Sequence, residues 1–395
     1  MEKNTLIITN KSRGKKKVIK KGIKSFRNPG IDLMRLIGML DIVIFHILID
    51  SNIFNRYSKY RRQLDNMAIF GNWHISNFGI ISGIVGYKNS NHLKYSNLFY
   101  LWLTVFFYSL TIHYAYKKYN RNFFSTNRKI QYYFPVIFNN HWYFTSYFGM
   151  YFFLPLINRG ISYLQKGEFT IVVFGIIGIF IIWNEYHLIG NKDQNDPFSV
   201  NGGRSMIGLI LFYIIGAYIG KHIIVENKNR RIYYYIICLL IFFASGQSII
   251  YFLTYYGHNK YKLFLQKFCR NRLNSLATMA QTISLNLLFS QIKYNKYISK
   301  IISFFGQLAF GVYIIHDHID IRYVIFANLF QNYPDNLTLN QIKLLVILKG
   351  LKYFSICILI DLIRFFIFKL LMIRLLLNFI EKKIYSIIGI YKNNK

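Results

Sequence analysis

The feature that most constrains this chain is a repeated one: apolar blocks of roughly 17–25 residues, the length a helix needs to cross a bilayer, follow one another from about residue 31 to residue 366. In hydrocarbon every backbone polar group must be satisfied within the protein, so such blocks fold as helices or not at all. The expected fold is all-α, a polytopic transmembrane bundle. Candidate spans fall at about 31–50, 67–87, 95–116, 141–158, 170–190, 206–225, 232–256, 272–291, 302–326 and 344–366. Ten crossings would leave both termini on the same side, read as cytosolic, in a multi-pass protein of the cell membrane.

Charge supports a lipid setting over nucleic acid. The net charge is +34, but the Lys and Arg sit in the N-terminal tail, the short connectors and the C-terminal end, as loops touching anionic headgroups require. No zinc-finger, RRM or helix-turn-helix pattern accompanies them, so nucleic acid is not an expected partner. Residues 1–30 hold ten Lys or Arg and no long apolar run, a basic cytosolic tail rather than a cleavable signal. Residues 31–366 read as one membrane domain. Residues 367–395, with Lys369, Arg374, Lys382, Lys383 and Lys392, read as a basic amphipathic segment lying on the membrane surface. The connectors expected to face outward are basic too, for example Lys117, Lys118, Arg121, Arg128 and Lys129, so charge orients the chain only weakly. Cys238, Cys269 and Cys357 are odd in number and lack metal-type spacing, which argues for neither a disulfide framework nor a zinc site.

An ionisable side chain within a span costs a few kcal/mol and asks for a reason. The first span carries Asp32, Arg35, Asp41 and His46. Arg35 and His46 lie within about 20° of one another around the helix and roughly 16 Å apart along it. Asp32 and Asp50 lie within about 60° of that face, and Asp41 points the other way. Two readings are open: a polar seam lining an internal cavity, or an arginine snorkelling beside Asp32 with a histidine bonded between helices. The second span holds Gly79, Ser82, Gly83 and Gly86, a small face that serves close helix packing or leaves room for a ligand chain.

The order of motifs carries a resemblance. Arg35-x10-His46 is preceded by Gly30-Ile31-Asp32 and followed by Phe78-x-x-Ile81-Ser82-Gly83-x-x-Gly86-Tyr87. Then come Phe134-Pro135, His141-Trp142-Tyr143-Phe144, Tyr147, Pro155-Leu-Ile-Asn158, Tyr213-Ile-Ile-Gly-Ala-Tyr218, Phe310-Gly-Val-Tyr-Ile-Ile-His316-Asp317 and Asp361-Leu-Ile-Arg364. Over roughly residues 28–370 the chain resembles the membrane-bound acyltransferase-3 family, and within it the branch that O-acetylates surface polysaccharides.

That resemblance implies acetyl-CoA, or another acyl-CoA, as donor from the cytosol, and a glycan hydroxyl as acceptor from the other face. A sugar hydroxyl is a poor nucleophile near neutral pH, and histidine suits the task of taking its proton; His46 is the expected base. Arg35 is the expected contact to a coenzyme A phosphate, which a guanidinium holds through two bonds. Asp32 joins them in the catalytic set. Ser82, Gly83, Lys88 and Lys94 are the further donor contacts, although relatives carry an Arg-x-x-Arg-like cluster where this chain has Lys88, His92 and Lys94. Trp142, Tyr313 and His316, with Asp317 and His318 nearby, are candidates to line the acceptor cavity or to form a buried polar network. His316-x-His318 lacks further ligands at matching spacing for a metal. Asp41 stands where relatives have an apolar residue. The competing class is a transporter or flippase for a lipid-linked or anionic solute, which also needs intramembrane Arg, Asp and His.

Overall fold

The computed structural model describes residues 28–88, 94–119, 129–183, 196–224, 232–255 and 275–389. The basic tail to Arg27, His92, Arg121, Arg128, Cys269 and Lys392 lie outside them. The described residues are helical and contain no strand, so the all-α expectation holds. The main helices are α1 (Pro29–Asp50), α2 (Arg61–Phe70), α3 (Trp73–Gly86), α4 (Tyr95–Tyr119), α5 (Trp142–Tyr163), α6 (Lys166–Ile176), α7 (Met206–Tyr218), α8 (Ile232–Tyr255), α9 (Leu276–Gln291), α10 (Lys296–Phe305), α11 (Ala309–His316), α12 (Leu339–Leu370) and α13 (Ile373–Ile387).

The ten candidate spans are not ten long apolar helices. Four stretches among the described residues are both long and apolar enough to cross a membrane by themselves: Tyr95–Lys118, Lys166–Trp183, Met206–Ile224 and Lys296–His316. The candidate span at 67–87 is broken at Gly71-Asn72 between α2 and α3, and the one at 302–326 is divided into α10, α11 and a π-helical turn at Ile321–Phe326. In α1 the cause is composition, since Asp32, Arg35, Asp41 and Asp50 interrupt the apolar run.

Helix α1 is the hub, packed against α3, α9, α10, α11 and α12. Its start is specified locally. Asn28 caps it, the side-chain oxygen accepting from the backbone N–H of Gly30 at 2.9 Å and Ile31 at 3.4 Å, and Pro29 occupies the first turn, where a missing N–H costs nothing. Polar side chains fasten the hub to its neighbours as interhelical bonds do in hydrocarbon. Asn77 of α3 donates to the Met34 carbonyl at 3.2 Å, and Asn286 of α9 donates to Asn77 at 2.7 Å.

The small face of α3 is spent on packing against α7. A Cβ on Gly83 would stand 2.0 Å from the Tyr213 carbonyl oxygen, and one on Gly216 would stand 2.1 Å from that of Ile80, so the two backbones touch through glycine on both sides. Three of the sequence motifs meet beside this contact. The Tyr213 hydroxyl donates to Asn158 Oδ1 at 2.7 Å, and Asn158 Nδ2 donates to the Gly86 carbonyl at 3.2 Å.

At the other end of the chain a capping box, Thr338 with Gln341, starts α12. A left-handed Met372 (φ 50°) separates α12 from α13. None of the residues of α13 is buried, and Leu375, Leu376, Phe379 and Ile380 are exposed, as on a helix lying in the interface. The basic amphipathic segment therefore takes helical form at Ile373–Ile387, after α12 has run on to Leu370.

Candidate active site

Residues of α1, α3, α4, α5, α11, α12 and α13 and of the turn between α10 and α11 enclose a cavity of about 550 Å³. Arg35 and His46 both line it, so the shared face read from the helical period is a cavity face, with the guanidinium and the imidazole separated along α1. Arg35 also does what the alternative reading asked: its Nη1 donates to Asp32 Oδ1 at 2.6 Å, and Ser303 donates to the other oxygen of Asp32 at 2.9 Å. Asp32 is fully buried and holds the arginine without lining the cavity.

His46 sits at the start of a buried ionic chain. Its Nδ1 is 3.8 Å from Asp317 Oδ1, beyond hydrogen-bond range but well within reach of the carboxylate's field. Asp317 follows the last residue of α11. Its Oδ2 is 3.0 Å from His141 Nδ1, and its Oδ1 accepts from Arg322 Nη1 at 2.9 Å. Arg322 then forks onto Asp50, one turn beyond His46 on α1, at 2.6 and 2.9 Å. One guanidinium thus joins two carboxylates from different elements and fixes Asp317 beside His46. The carboxylate stands beside the imidazole without a hydrogen bond between them.

The other expected residues divide. Ser82, Trp142 and Tyr313 line the cavity, with Tyr143, Tyr147 and Phe310 completing an aromatic wall. Gly83 faces α7 and not the cavity. Lys88 and Lys94 are exposed and do not line it; Lys88 lies over the Tyr87 ring, and the carbonyl of Lys94 accepts from Tyr151. His316 is fully buried behind His46, ring centres 5.0 Å apart, its Nδ1 bonded to the Val312 carbonyl at 2.7 Å; it supports the histidine and does not line the cavity. His318 lies against Tyr132, away from the cavity lining. Asp41 does find a partner, His74 Nδ1 of α3 at 3.0 Å.

Two arrangements go beyond the sequence reading, which names Arg364 and Arg374 without placing them at the cavity. Arg322 is an intramembrane-type cation in a candidate span, which is itself a signal; its partner Asp50 is 272 residues away and invisible to local patterns. The second is a set of arginines along one side of the cavity. Arg364 is clamped to Asp361 on its own helix by two bonds of 2.8 Å, with Tyr108 donating to Asp361 and Tyr100 accepting from Arg364, each at 2.9 Å. Gly311 makes room for that pair, since a Cβ there would stand 1.9 Å from an Asp361 oxygen. Arg374 of α13 also lines the cavity, over the ring of Tyr100 at 4.9 Å.

A helical bundle with spans for the bilayer, enclosing an aromatic chamber with a guanidinium and a histidine beside a carboxylate on its wall, is a membrane-type protein with an internal polar cavity. The family model described as an acyltransferase domain matches residues 28–387, nearly the whole chain, and the chain belongs to that family, acyltransferase 3. It is a membrane acyltransferase. None of the curated proteins and none of the solved structures matches it.

Proposed function

We propose that this acyltransferase is an O-acyltransferase that moves an acetyl or similarly short acyl group from acyl-CoA to a hydroxyl of a cell-surface polysaccharide or related glycan. The observation that carries the reading is the single cavity lined by both Arg35 and His46, the latter with Asp317 at its side. A thioester donor has a polyanionic nucleotide end and a reactive acyl end joined by a long arm. A chamber with a cation and a base roughly 16 Å apart along one helix suits such a molecule. The aromatic wall of Trp142, Tyr143 and Tyr313 suits the faces of a sugar ring.

In this reading His46 accepts the proton of the acceptor hydroxyl as its oxygen attacks the thioester carbonyl carbon. The tetrahedral intermediate collapses with cleavage of the carbon–sulfur bond, and the sulfur takes the proton back from His46. The products are the acyl ester and free coenzyme A. Asp317 stabilises the imidazolium that exists between the two proton transfers, and His141 and Arg322 hold Asp317 in place. Arg35 binds phosphate from its station beside Asp32. The donor enters from the cytosolic face, both termini lie on that face, and the bundle crosses the membrane ten times, its broken helices counted with their continuations.

Purified protein in nanodiscs, incubated with radiolabelled acetyl-CoA and the glycan fraction of its source cells, should place alkali-labile label on the glycan. Label that stays in acetyl-CoA or appears only as free acetate, across all acceptor fractions, would overturn the glycan reading.

A further inference from the structure

Of the arginines that line the cavity, Arg35 is matched by Asp32 and Arg364 by Asp361. Arg374 has no carboxylate partner among the described residues; it lies over the π-face of Tyr100. It is also exposed, as are Asn97 of α4 and Gln307 in the turn between α10 and α11, and all three line the cavity. These exposed polar groups mark its mouth. The mouth is built rather than accidental: Ser96, next to Asn97, donates to Glu381 of α13 at 2.7 Å, and the Ser96 N–H donates to the other oxygen at 3.4 Å. The left-handed Met372 turns the chain from α12 into the helix so held. A surface helix is thus pinned so that its uncompensated cation stands at the rim of an internal chamber.

We infer that Arg374, with Asn97 and Gln307, forms a phosphate subsite for the donor's nucleotide in addition to Arg35, so that the amphipathic C-terminal helix is part of the acyl-CoA site. The assignment rests on the acyl-CoA reading above and deepens it. A cation already neutralised by a carboxylate gains less from an incoming phosphate than one that is not, which favours Arg374 over Arg35 and Arg364 as the main electrostatic contact. Tyr100 keeps its guanidinium over the rim without neutralising it. An anionic lipid headgroup offers the same phosphate chemistry, and the experiment separates the two sources.

The test is calorimetric titration of the full chain in a phosphate-free maltoside detergent with CoA, dephospho-CoA and pantetheine, none of which requires an acceptor. Arg374→Ala should weaken CoA binding about tenfold or more, weaken dephospho-CoA less, and leave pantetheine unchanged, and Arg374→Lys should restore part of the loss. Equal effects on CoA and pantetheine, or no effect on either, would overturn the assignment while leaving the donor reading intact. So would a loss seen only in nanodiscs of anionic lipid and absent in detergent, which would make Arg374 a headgroup anchor. Failure of the unaltered chain to bind CoA at all overturns the donor reading, and this subsite with it.

Discussion

Replacing Asp317 by Asn tests the ionic chain directly, because it removes one charge and almost no volume. The carboxylate lies 3.8 Å from Nδ1 of His46. At an effective dielectric of about 20 that separation is worth roughly 4 kcal/mol once the ring has taken a proton. Arg322 shares the same carboxylate and opposes part of this attraction, so about 2 to 4 kcal/mol should be lost from the transition state, or roughly 30- to 1,000-fold in kcat. Folding should suffer less than catalysis. Arg322 keeps its two bonds to Asp50, and an Asn oxygen can still accept from His141. The assay is initial-rate transfer from labelled acetyl-CoA in nanodiscs over a range of donor concentrations, with a thermal melt of the same preparation. A low kcat with an unchanged donor KM and a near-normal melt is expected. A folded Asp317→Asn protein with kcat within about threefold of the parent would refute the role given to the carboxylate.

Other consequences can be checked on the same preparations. His46→Gln keeps hydrogen-bonding capacity but cannot take a proton near neutral pH, so transfer should fall on the order of a hundredfold or more, and an active variant with normal kinetics would sink the mechanism. Arg35→Lys keeps the charge but loses the two-bond fork, so donor KM should rise with little change toward acceptor; lower yield with unaltered KM would make Arg35 an anchor of Asp32 only. Gly83→Ala puts a methyl 2.0 Å from the Tyr213 carbonyl oxygen, away from the cavity, so it should cost about 1–3 kcal/mol or more of stability, seen as a lower melt, while specific activity of the folded fraction stays near normal. Reporter fusions at residues 1 and 395 should both report the cytosol; opposite sides would exclude an even number of crossings.

What could be read from sequence and what could not divides by the range of the interaction. The limits of α1 were legible because Asn28, Pro29 and the apolar run are local signals, and the shared face of Arg35 and His46 followed from helical period alone. The choice between packing and ligand for Gly79, Gly83 and Gly86 was open in sequence, because small residues serve both; the opposing glycine at 216 decides it. The break at Gly71-Asn72 carries no proline, and apolar residues flank it on both sides, so 67–87 reads as one span where α2 and α3 stand. Arg374 was legible as a basic residue of an amphipathic tail. Its place at the cavity rim depends on the turn at Met372 and the bond from Ser96 to Glu381, two features that meet only when the ends of the bundle do.

The spacing of the ion pairs also bears on how such a chain is made. Asp32 with Arg35 and Asp361 with Arg364 are each three residues apart, so each helix can enter the bilayer with that pair already neutralised. Asp50 differs, because its guanidinium is 272 residues downstream and has not been synthesised when α1 emerges from the ribosome. The first helix is therefore made well before the guanidinium that pairs with Asp50 in the folded chain. The same late segment brings Asp317 to His46, so the nascent chain acquires this pair only after more than three quarters of its length has been translated, and shorter products released by premature termination lack it.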